Sequence, residues 1–539
     1  MKLLRNLVPL FLLLSEISTT TAEKWYSLGN YIEEEGSAYL AGHCVANSLD
    51  GNVIAVASPH FAPEVEDDDE VDEDNEKDPT PSIPVGKRYG RVAMYGFDAN
   101  TDEWNKLGDE LVGEEGQEFG TSLDMSENGN VIIVGTMDDN GDKSQAGSVQ
   151  VYVRDDVSGK TRWLPKGDPI YGESAYDWFG ASVAIHGDGK IIVVGSPGHD
   201  VGDNIDAGAV TVYEYEALGK KWVEMQAKIL GTSTLGKFGS SLAISKLGVL
   251  AVGAPHANNQ AGYVQMFRYT AADNNGTAAT WSKEGQELDG GNPGDRFGAS
   301  VAMSRLGKHV IIGAPLQKVG EKRHAGVATV WEVDYTDNVW KLISEEISSD
   351  NQGDNFGSSV DISDDGKEIA VGAPYSSTST MKQNGHIAVY HKNSTSTTFS
   401  LANVKIEGKA EYGHQGSSVA LSGDGYQVMG GAPEEGYVSV YMLAKTAPPT
   451  LAPTTYEECL NCAHDDVKKA DDGSRGRGGF AKFILVIFII SIVAAAGSLA
   501  FKGVLHYRNK RSMGVFQPTA NTDLELRNVE DQDQSGGVI

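Results

Sequence analysis

The sequence predicts an all-β fold, a seven-bladed β-propeller ectodomain closed by the N-terminal strand, plus one transmembrane helix. Three segments recur along the chain at nearly fixed spacing: an aromatic residue, a stretch from "FG" to "GAP", and a glycine followed five residues later by an aromatic residue. Each repeat is too small to bury both faces of a sheet alone, so we expect the sheets to stack in a ring. The aromatic residues that recur every 59 positions are Trp104, Trp163, Trp222, Trp281, Trp340 and Phe399.

Each repeat reads as four short strands, most clearly the sixth, which contains "FGSSVDISDDGKEIAVGAP" at 356–374. "SVDIS" alternates apolar and polar residues, and "DG" predicts a two-residue hairpin turn in which both residues accept positive φ. "EIAVGAP", "GHIAVYH" and "FSLANVKI" supply the other three strands. Related "FG" stretches begin at Phe119, Phe179, Phe238 and Phe297, with degenerate versions around Gly42 and Gly416. The glycine-to-aromatic segments begin at Gly90, Gly147, Gly208, Gly262, Gly326, Gly385 and Gly436.

The seventh repeat lacks its fourth strand, and the mature chain begins with one. The position 59 residues after Phe399 is Glu458, in a cysteine-bearing segment without a strand pattern. The opening stretch "KWYSLGNYI" carries Trp25 and, seven residues later, Ile32, as the fourth strands do. We therefore predict that the strand at Trp25 pairs with the strand ending at Tyr441 and closes the ring, which leaves no open sheet edge.

Composition and terminal segments predict the domain organisation. Residues 1–22 read as a secretory signal peptide, 23–445 as the propeller, and 446–482 as a Pro/Thr-rich stalk. The uncharged run at 483–501 would reach about 28 Å as a helix and predicts a membrane span, leaving 502–539 as a cytoplasmic tail. The predicted location is the cell membrane, single-pass type I, with the propeller outside.

The net charge of the chain and the absence of catalytic motifs argue against nucleic-acid binding and enzyme activity. The 539-residue chain has a formal net charge of −31, which argues against a nucleic-acid partner. It contains no nucleophile elbow, HExxH or phosphate loop, so we expect no enzyme, no catalytic residues and no cofactor.

The motifs "FGSSLAIS…LAVGAP", "FGASVAMS…VIIGAP" and "FGSSVDIS…IAVGAP" resemble the FG-GAP repeat of the integrin α-subunit propeller. The resemblance covers about residues 24 to 443 and implies a propeller that binds partners through one face. No β-sandwich region follows the propeller, and "KGVLHYRNKR" follows the predicted span where integrins carry a "GFFKR"-like stretch. A β-type partner subunit therefore remains an open question.

The resemblance also raises the question of calcium, because integrin blades often carry acidic loops between their first two strands. The corresponding turns here, such as "SENGN" and "SDDGK", offer at most two carboxylates, whereas calcium takes six to eight oxygen ligands. We expect plain hairpins, no metal site, and a propeller that folds without calcium.

Strand order assigns each loop to a face, and the presumed ligand face includes the loop from the second to the third strand. In the first repeat this loop, 61–89, carries an acidic insert. It is either a solvated, disordered insert or a segment that captures cationic partners or divalent ions. Its candidate residues are Glu66, Asp67, Asp68, Asp69, Glu70, Asp72, Glu73 and Asp74.

Several single residues also suggest sites. His60, His199 and His256 follow "GAP"-type corners, and only the last two lie in neighbouring repeats, so a shared metal site is not expected. Asn275 and Asn393 begin glycosylation sequons in loops of the opposite face.

The cysteines suggest a disulfide in the stalk. Cys459 and Cys462 face an oxidising space, and a bond within the chain, a bond between chains, and a zinc site with His464 are the alternatives. Cys44, in the first strand of the first repeat, is expected to be a buried free thiol.

Three functional hypotheses follow. The first is a cell-surface receptor or adhesion protein that binds an extracellular protein or glycan through the propeller face. The second is a structural membrane protein that organises matrix or cell wall, and the third is an ectoenzyme. A polar pocket of converging titratable groups would favour the enzyme, whereas an exposed apolar or aromatic patch would favour protein binding.

Overall fold

Seven antiparallel sheets form a closed ring. The computed structural model describes residues 24–33, 40–62, 88–137, 144–271, 279–392 and 398–444. Within these residues every sheet is ordered from an innermost first strand to an outermost fourth strand. The first strands of adjacent blades contact one another around the ring, and that of the seventh contacts that of the first. The predicted seven-bladed propeller is therefore confirmed.

The blades are numbered 1 to 7 in the chain order of their innermost strands. The first strands are β3 (Cys44–Asn47), β8 (Ser122–Met125), β13 (Ser182–Ile185), β18 (Ser241–Ile244), β22 (Ser300–Met303), β27 (Ser359–Ile362) and β31 (Ser418–Leu421). The second strands are β4 (Val53–Ser58), β9 (Val131–Thr136), β14 (Ile191–Ser196), β19 (Val249–Ala254), β23 (His309–Ala314), β28 (Glu368–Ala373) and β32 (Gln427–Ala432).

The third strands, longer than the second strands in six blades, pair with the outermost fourth strands. They are β5 (Arg91–Asp98), β10 (Ser148–Val157), β15 (Ala209–Glu216), β20 (Tyr263–Thr270), β24 (Val327–Asp334), β29 (His386–His391) and β33 (Tyr437–Ala444). The fourth strands are β6 (Glu103–Lys106) with β7 (Leu111–Val112), β11 (Lys160–Pro165) with β12 (Ile170–Tyr171), β16 (Lys221–Glu224) with β17 (Ile229–Leu230), β21 (Thr280–Asp289), β25 (Val339–Leu342) with β26 (Ile347–Ser348), β30 (Ser400–Glu407), and β1 (Lys24–Ser27) with β2 (Ile32–Glu33). Single helical turns occur at Ala257–Gln260 and Pro433–Glu435.

The sequence predicts one continuous fourth strand in each blade, but in five of the blades this strand is divided into two pieces. It breaks between the recurring tryptophan and the Leu or Ile seven residues later, and both pieces pair with the same third strand. In blade 1, Trp104 pairs with Phe97 and Leu111 pairs with Val92. The break in one blade supplies a carbonyl to the tryptophan of the next: Trp104 Nε1 of blade 1 donates to the carbonyl of Leu28, between β1 and β2 of blade 7, at 3.0 Å.

The N-terminal strand completes blade 7, as predicted. Strand β1 pairs antiparallel with β33, with Trp25 opposite Leu443, and β2 continues the pairing through Ile32 opposite Val438. Trp25 is 5% exposed and packs among residues of blade 6, including Ile406. The first and last described strands therefore share one sheet.

The hydrophobic core is divided among the blade interfaces. Within the described residues the buried side chains form seven clusters, each shared by two neighbouring blades. In strand β19, Leu250 and Val252 pack toward blade 3, whereas Val249 and Ala251 pack toward blade 5. A Cβ on Gly253 would lie 2.2 Å from the carbonyl oxygen of Gly298 in the next blade, so the "GAP" glycine permits this close approach.

A repeated hydrogen bond links the first strand of each blade to the next blade. In six blades a serine hydroxyl donates to the carbonyl of the following "FG" glycine or its equivalent at 2.6–2.8 Å: Ser122 to Gly180, Ser182 to Gly239, Ser241 to Gly298, Ser300 to Gly357, Ser359 to Gly416, and Ser418 to Gly42. In blade 1, Cys44 takes this place and its thiol donates to the Thr121 carbonyl at 3.2 Å. Cys44 is free, as predicted, but only partly buried, and desolvation raises the pKa of its thiol to about 12.

The hairpin turns differ from the predicted two-residue "DG" turn. In blade 6, Gly366 has a φ of 72° and Asp365 is not among the residues with positive φ. The turn is wider, since Gly366 N–H bonds the Ser363 carbonyl at 3.0 Å and Ser363 N–H bonds the Glu368 carbonyl at 2.9 Å. Ser363 Oγ donates to Asp365 Oδ1 at 3.0 Å, which fixes the aspartate inside the turn.

Several sequence predictions lie outside the described residues. They are the signal peptide, the acidic insert, Asn275, Asn393, Cys459, Cys462, the stalk, the span at 483–501 and the tail. In the part of the chain that is described, no helix has the length and apolarity to cross a membrane.

Candidate ligand-binding face

The loops from second to third strands turn through a corner that is repeated around the presumed ligand face. In blade 6, Ser376 N–H bonds the Ala373 carbonyl at 3.2 Å, and the Ser376 carbonyl accepts from Gly385 N–H at 3.1 Å. Phe61 makes the same two bonds in blade 1, with Ser58 and Gly90. Equivalent positions can therefore be compared between blades, and their side chains differ widely.

A second repeated feature of this face joins neighbouring blades. The residue before each "FG" bonds through its N–H to the preceding blade, for example Trp178 to the Gln145 carbonyl at 3.2 Å and Lys237 to the Asp206 carbonyl at 3.1 Å. Because a left-handed backbone directs the N–H toward the seam, these residues share positive φ: Leu40, Glu118, Trp178, Lys237, Arg296, Asn355 and His414. The strained, positive-φ backbone at these positions is therefore a repeated feature of the seven blades.

Side chains at four of these seams also interact, including His414 Nε2 with Gln383 Oε1 at 3.4 Å between blades 6 and 7. Arg88 forms an ion pair with Glu118 at 2.8 Å between blades 1 and 2. The indole Nε1 of Trp178 donates to Gln145 Oε1 at 3.2 Å, and Lys237 pairs with Asp206 at 3.2 Å. These bonds hold the seam side chains in fixed positions around the face.

An exposed apolar patch lies over blades 3 and 4. We define the blade 3–4 patch as Tyr176, Trp178, Ile205, Leu235 and Lys237. Tyr176 is 57% exposed, Ile205 59% and Leu235 54%. Leu235 N–H bonds the Ile205 carbonyl at 2.8 Å, and Lys237 Nζ lies 4.0 Å from the centre of the Trp178 ring. The backbone bond joins Leu235 to Ile205 and the ring contact joins Lys237 to Trp178, while Tyr176 lies two residues before Trp178 on the same loop.

The composition of this patch suits contact with another protein. Aromatic and aliphatic groups exposed together are costly in water, and their burial contributes roughly 25 cal/mol per Å². The cation over the Trp178 ring adds a fixed positive charge at the centre. Since the backbone at Tyr176 and Leu235 is held in hydrogen-bonded turns, little conformational entropy remains to be lost there on binding.

The three corner histidines do not converge. His60 lies 3.0 Å from Arg88, and desolvation and that guanidinium lower its pKa. His199 bonds the buried carboxylate of Asp177 at 3.2 Å. Burial also lowers the pKa of His256. Among the described residues no three His, Cys, Asp or Glu side chains are grouped so that they could hold a metal ion.

The acidic insert joins the blade at a closed corner. Tyr89 N–H and Gly90 N–H both bond the Phe61 carbonyl, at 2.8 and 3.0 Å. The guanidinium of Arg91 lies 4.2 Å from the Phe61 ring. These contacts close the blade 1 corner using only residues before and after 63–87. The candidate acidic residues of the insert lie outside the described residues.

On the opposite face, the turns between first and second strands meet around the channel axis. Leu49 N–H bonds the Glu127 carbonyl, Glu127 N–H bonds the Gly187 carbonyl, and Gly423 N–H bonds the Leu49 carbonyl, at 2.8–3.1 Å. Arg305 of blade 5 reaches Glu127 of blade 2 with two bonds, Nε to Oε1 at 2.7 Å and Nη2 to Oε2 at 2.8 Å. The guanidinium holds the pKa of Glu127 below its usual range.

A cleft of about 200 Å³ lies beside this ion pair and is lined by all seven blades. Its wall includes Asp124 and Asp361, the only acidic residues at the third position of an innermost strand, where the other five blades have alanine. Each carboxylate accepts one N–H from its own blade and one from the next: Ile185 N–H donates to Asp124 at 2.8 Å and Leu421 N–H to Asp361 at 2.6 Å. Desolvation raises the pKa of Asp124 to about 6 and that of Asp361 to about 7.

The sequence did not identify the blade 3–4 patch or the axial cleft, although signals for both were present. Tyr176 and Leu235 stand three residues before an "FG" phenylalanine, where the other three "FG" repeats carry glycine and blades 1 and 7 carry Ala38 and Tyr412. Asp124 and Asp361 stand out once the innermost strands are aligned. Neither signal can be recognised as part of a site until the structure shows which side chains lie together in the ring.

The protein is therefore a seven-bladed propeller built of repeats. It exposes an apolar patch on one face, and an ion pair spans its central axis near the opposite face. A family model described as the FG-GAP repeat matches residues 172–213 and 342–390, which hold the inner strands of blades 3 and 6. The chain therefore contains FG-GAP repeats in these two segments, and its seven-bladed propeller is consistent with the N-terminal propeller of an integrin α subunit. No curated protein matches the chain.

Proposed function

We propose that this chain is a single-pass cell-surface receptor or adhesion protein whose propeller binds an extracellular protein through the blade 3–4 patch. The observation that carries the proposal is the grouping of Tyr176, Ile205 and Leu235, each more than half exposed, around the Lys237–Trp178 contact. Large exposed apolar patches are uncommon on soluble domains and mark interaction sites. The predicted signal peptide and the apolar run at 483–501 support a cell-surface location.

The patch favours a particular chemistry in the partner. An apolar side chain would fit against Leu235 and Ile205, and an acidic group would suit the ammonium of Lys237, which Asp206 pairs at 3.2 Å in the free protein. The acidic insert on the same face would attract a basic region of the partner at longer range. The proposed partner therefore carries an apolar anchor beside an acidic group, with basic residues farther out.

The test is patch-dependent capture by cells that display the full-length chain. Binding partners are cross-linked at the surface and identified for the natural protein and for Ile205→Asp and Leu235→Asp. We expect one extracellular protein to be captured by the natural chain and at least tenfold less by either variant. The captured protein is then titrated against the same cells.

The opposite face supplies a matched control. Leu247 and Leu306 are 56% and 52% exposed and lie in turns between first and second strands. Leu247→Asp and Leu306→Asp should leave capture unchanged. Equal loss from both faces, or no loss from the patch variants, would refute the proposal.

A further inference from the structure

Blade 6 contains a polar cavity that neither the patch nor the repeat architecture explains. It has a volume of about 380 Å³ and lies beside the corner between the second and third strands, on the ligand face. This is near the lower end of the range of about 300 to 1,000 Å³ typical of small-molecule sites. Its wall is made by Asn351, residues 376–380, Gly385, His386, Lys405 and Glu407.

The cavity exists because blade 6 carries small polar groups where blade 1 carries large ones. At the corresponding corner of blade 1, the Arg91 guanidinium stacks on the Phe61 ring at 4.2 Å. Ser376 and His386 occupy these two positions in blade 6, with the same backbone bonds at the corner. The corner backbone is kept while the space that the larger pair fills is left open.

His386 lines this cavity and carries a buried polar atom without a partner in the described structure. It is 4% exposed, and its Nδ1 lies 2.6 Å from the Ser376 hydroxyl, while its Nε2 has no hydrogen-bond partner among the described residues. Burial, with the nearby Lys405 charge, lowers the pKa of His386 to about 3, so the imidazole is neutral at physiological pH. A buried polar atom without a partner destabilises the protein, and a hydrogen bond from a bound ligand group would remove that cost.

The other residues of the cavity wall indicate the chemistry of the ligand. Ser376, Ser377, Thr378, Ser379 and Thr380 offer hydroxyls that both donate and accept hydrogen bonds. Lys405 and Glu407 contribute opposite charges, so the wall favours neither anions nor cations. We propose that this cavity is a binding subsite for an uncharged saccharide, held by His386 Nε2 and the serine and threonine hydroxyls.

Competing ligand chemistries fit the wall less well. An anionic ligand would meet Glu407 and a chain of net charge −31. An apolar ligand would use none of the hydrogen-bonding capacity of this wall and would leave His386 Nε2 without a partner. A saccharide hydroxyl can accept from one wall group and donate to another, so it satisfies both.

The experiment titrates the purified full-length chain with lactose, cellobiose and maltose by calorimetry. We expect saturable binding of at least one of these disaccharides and at least a tenfold loss of affinity in His386→Ala. Because His386 is buried and its replacement could weaken folding, Lys405→Met at the wall provides a second variant, with an expected loss of at least threefold. Gln317→Ala changes the corresponding corner of blade 5 and should leave the affinity unchanged.

Three results would overturn the proposal. They are no saturable binding of any of the three sugars, equal affinity in the natural chain and both wall variants, or tighter binding of glucuronate or sulfate than of every neutral sugar. The proposed protein-binding function is tested separately, because Leu235→Asp should abolish partner capture and leave saccharide affinity intact.

Discussion

Trp25 lies directly opposite Leu443 in the antiparallel register of blade 7, which places the first described strand beside the last. Both side chains are buried, and both pack with residues of blade 6. The ring is therefore closed by strand pairing and by a shared core. The stability of the whole propeller should depend on the first strand, because losing it uncovers the edge of β33 and part of the core shared by blades 6 and 7.

We predict that Trp25→Ala lowers the free energy of unfolding by about 3–5 kcal/mol, the usual cost of removing a buried tryptophan. Tyr26→Ala, one residue along and 42% exposed, should cost about 0.5 kcal/mol. Denaturant unfolding followed by tryptophan fluorescence measures both. Similar losses in the two variants would contradict closure through Trp25.

The ion pair between Glu127 and Arg305 should couple blades on different sides of the ring. Both side chains are largely shielded from solvent and joined by two bonds, so we expect a coupling energy of about 1–2 kcal/mol in a double-mutant cycle with Glu127→Ala and Arg305→Ala. The more exposed pair of Lys308 and Glu332, at 2.6 Å, is the control and should give less than about 1 kcal/mol. Equal couplings would show that the axial pair has no special role.

Asp124 and Asp361 should make the propeller more stable at mildly acidic pH. Their pKa values are raised in the folded state, to about 6 and about 7, so the folded protein binds protons more tightly than the unfolded chain. Their contribution is therefore greatest at low pH and is lost as pH rises through 6 and 7.

The measurement is the melting temperature of the natural chain minus that of Asp124→Ala/Asp361→Ala, which carries the residue found in the other five blades. We expect this difference to grow as pH falls from 8 to 5. The subtraction is needed because buried histidines such as His386 and His309 have lowered pKa values and act in the opposite direction below about pH 6.5. A difference independent of pH would refute the assignment.

The turn aspartates should not require calcium. Asp50 accepts from Ser48 Oγ at 2.6 Å and from Asn52 N–H at 3.1 Å, so its carboxylate is engaged within the turn. We predict that a chelator leaves the melting temperature unchanged, whereas a native-state calcium site would give a fall that added calcium reverses. Asp50→Ala should cost about 1 kcal/mol through the lost turn bonds.

Deleting residues 64–78 should leave the melting temperature unchanged, because Phe61, Tyr89 and Gly90 close the corner by themselves. With the partner identified at the blade 3–4 patch, the association rate should fall severalfold, and the loss should shrink as salt screens the insert. Stopped-flow association at two ionic strengths provides the readout. A large loss of stability would make the insert structural, and an unchanged rate would remove its steering role.

The sequence by itself determined the fold. The 59-residue spacing, the "FG" to "GAP" stretches and the unmatched strand at Trp25 predicted seven blades and their closure, because these patterns follow from contacts that every repeat makes in the same way. The type of the hairpin turns and the break in the fourth strands were not predicted. The turn includes the Ser363–Asp365 bond, and the break leaves a carbonyl such as that of Leu28 for the tryptophan of the next blade, a contact between repeats that one repeat's sequence does not show.

Only the tertiary structure decided which differences between repeats become sites. Glu127 and Arg305 are remote in sequence and lie in blades 2 and 5, so they meet only because the ring brings every turn to one axis. Tyr176 and Leu235 belong to different repeats, and His386 lines a cavity beside Ser376 at the same corner of blade 6. The repeated contacts determine the backbone of every blade. The chemistry of a surface depends on which side chains from different blades lie next to each other, and a single sequence does not specify this.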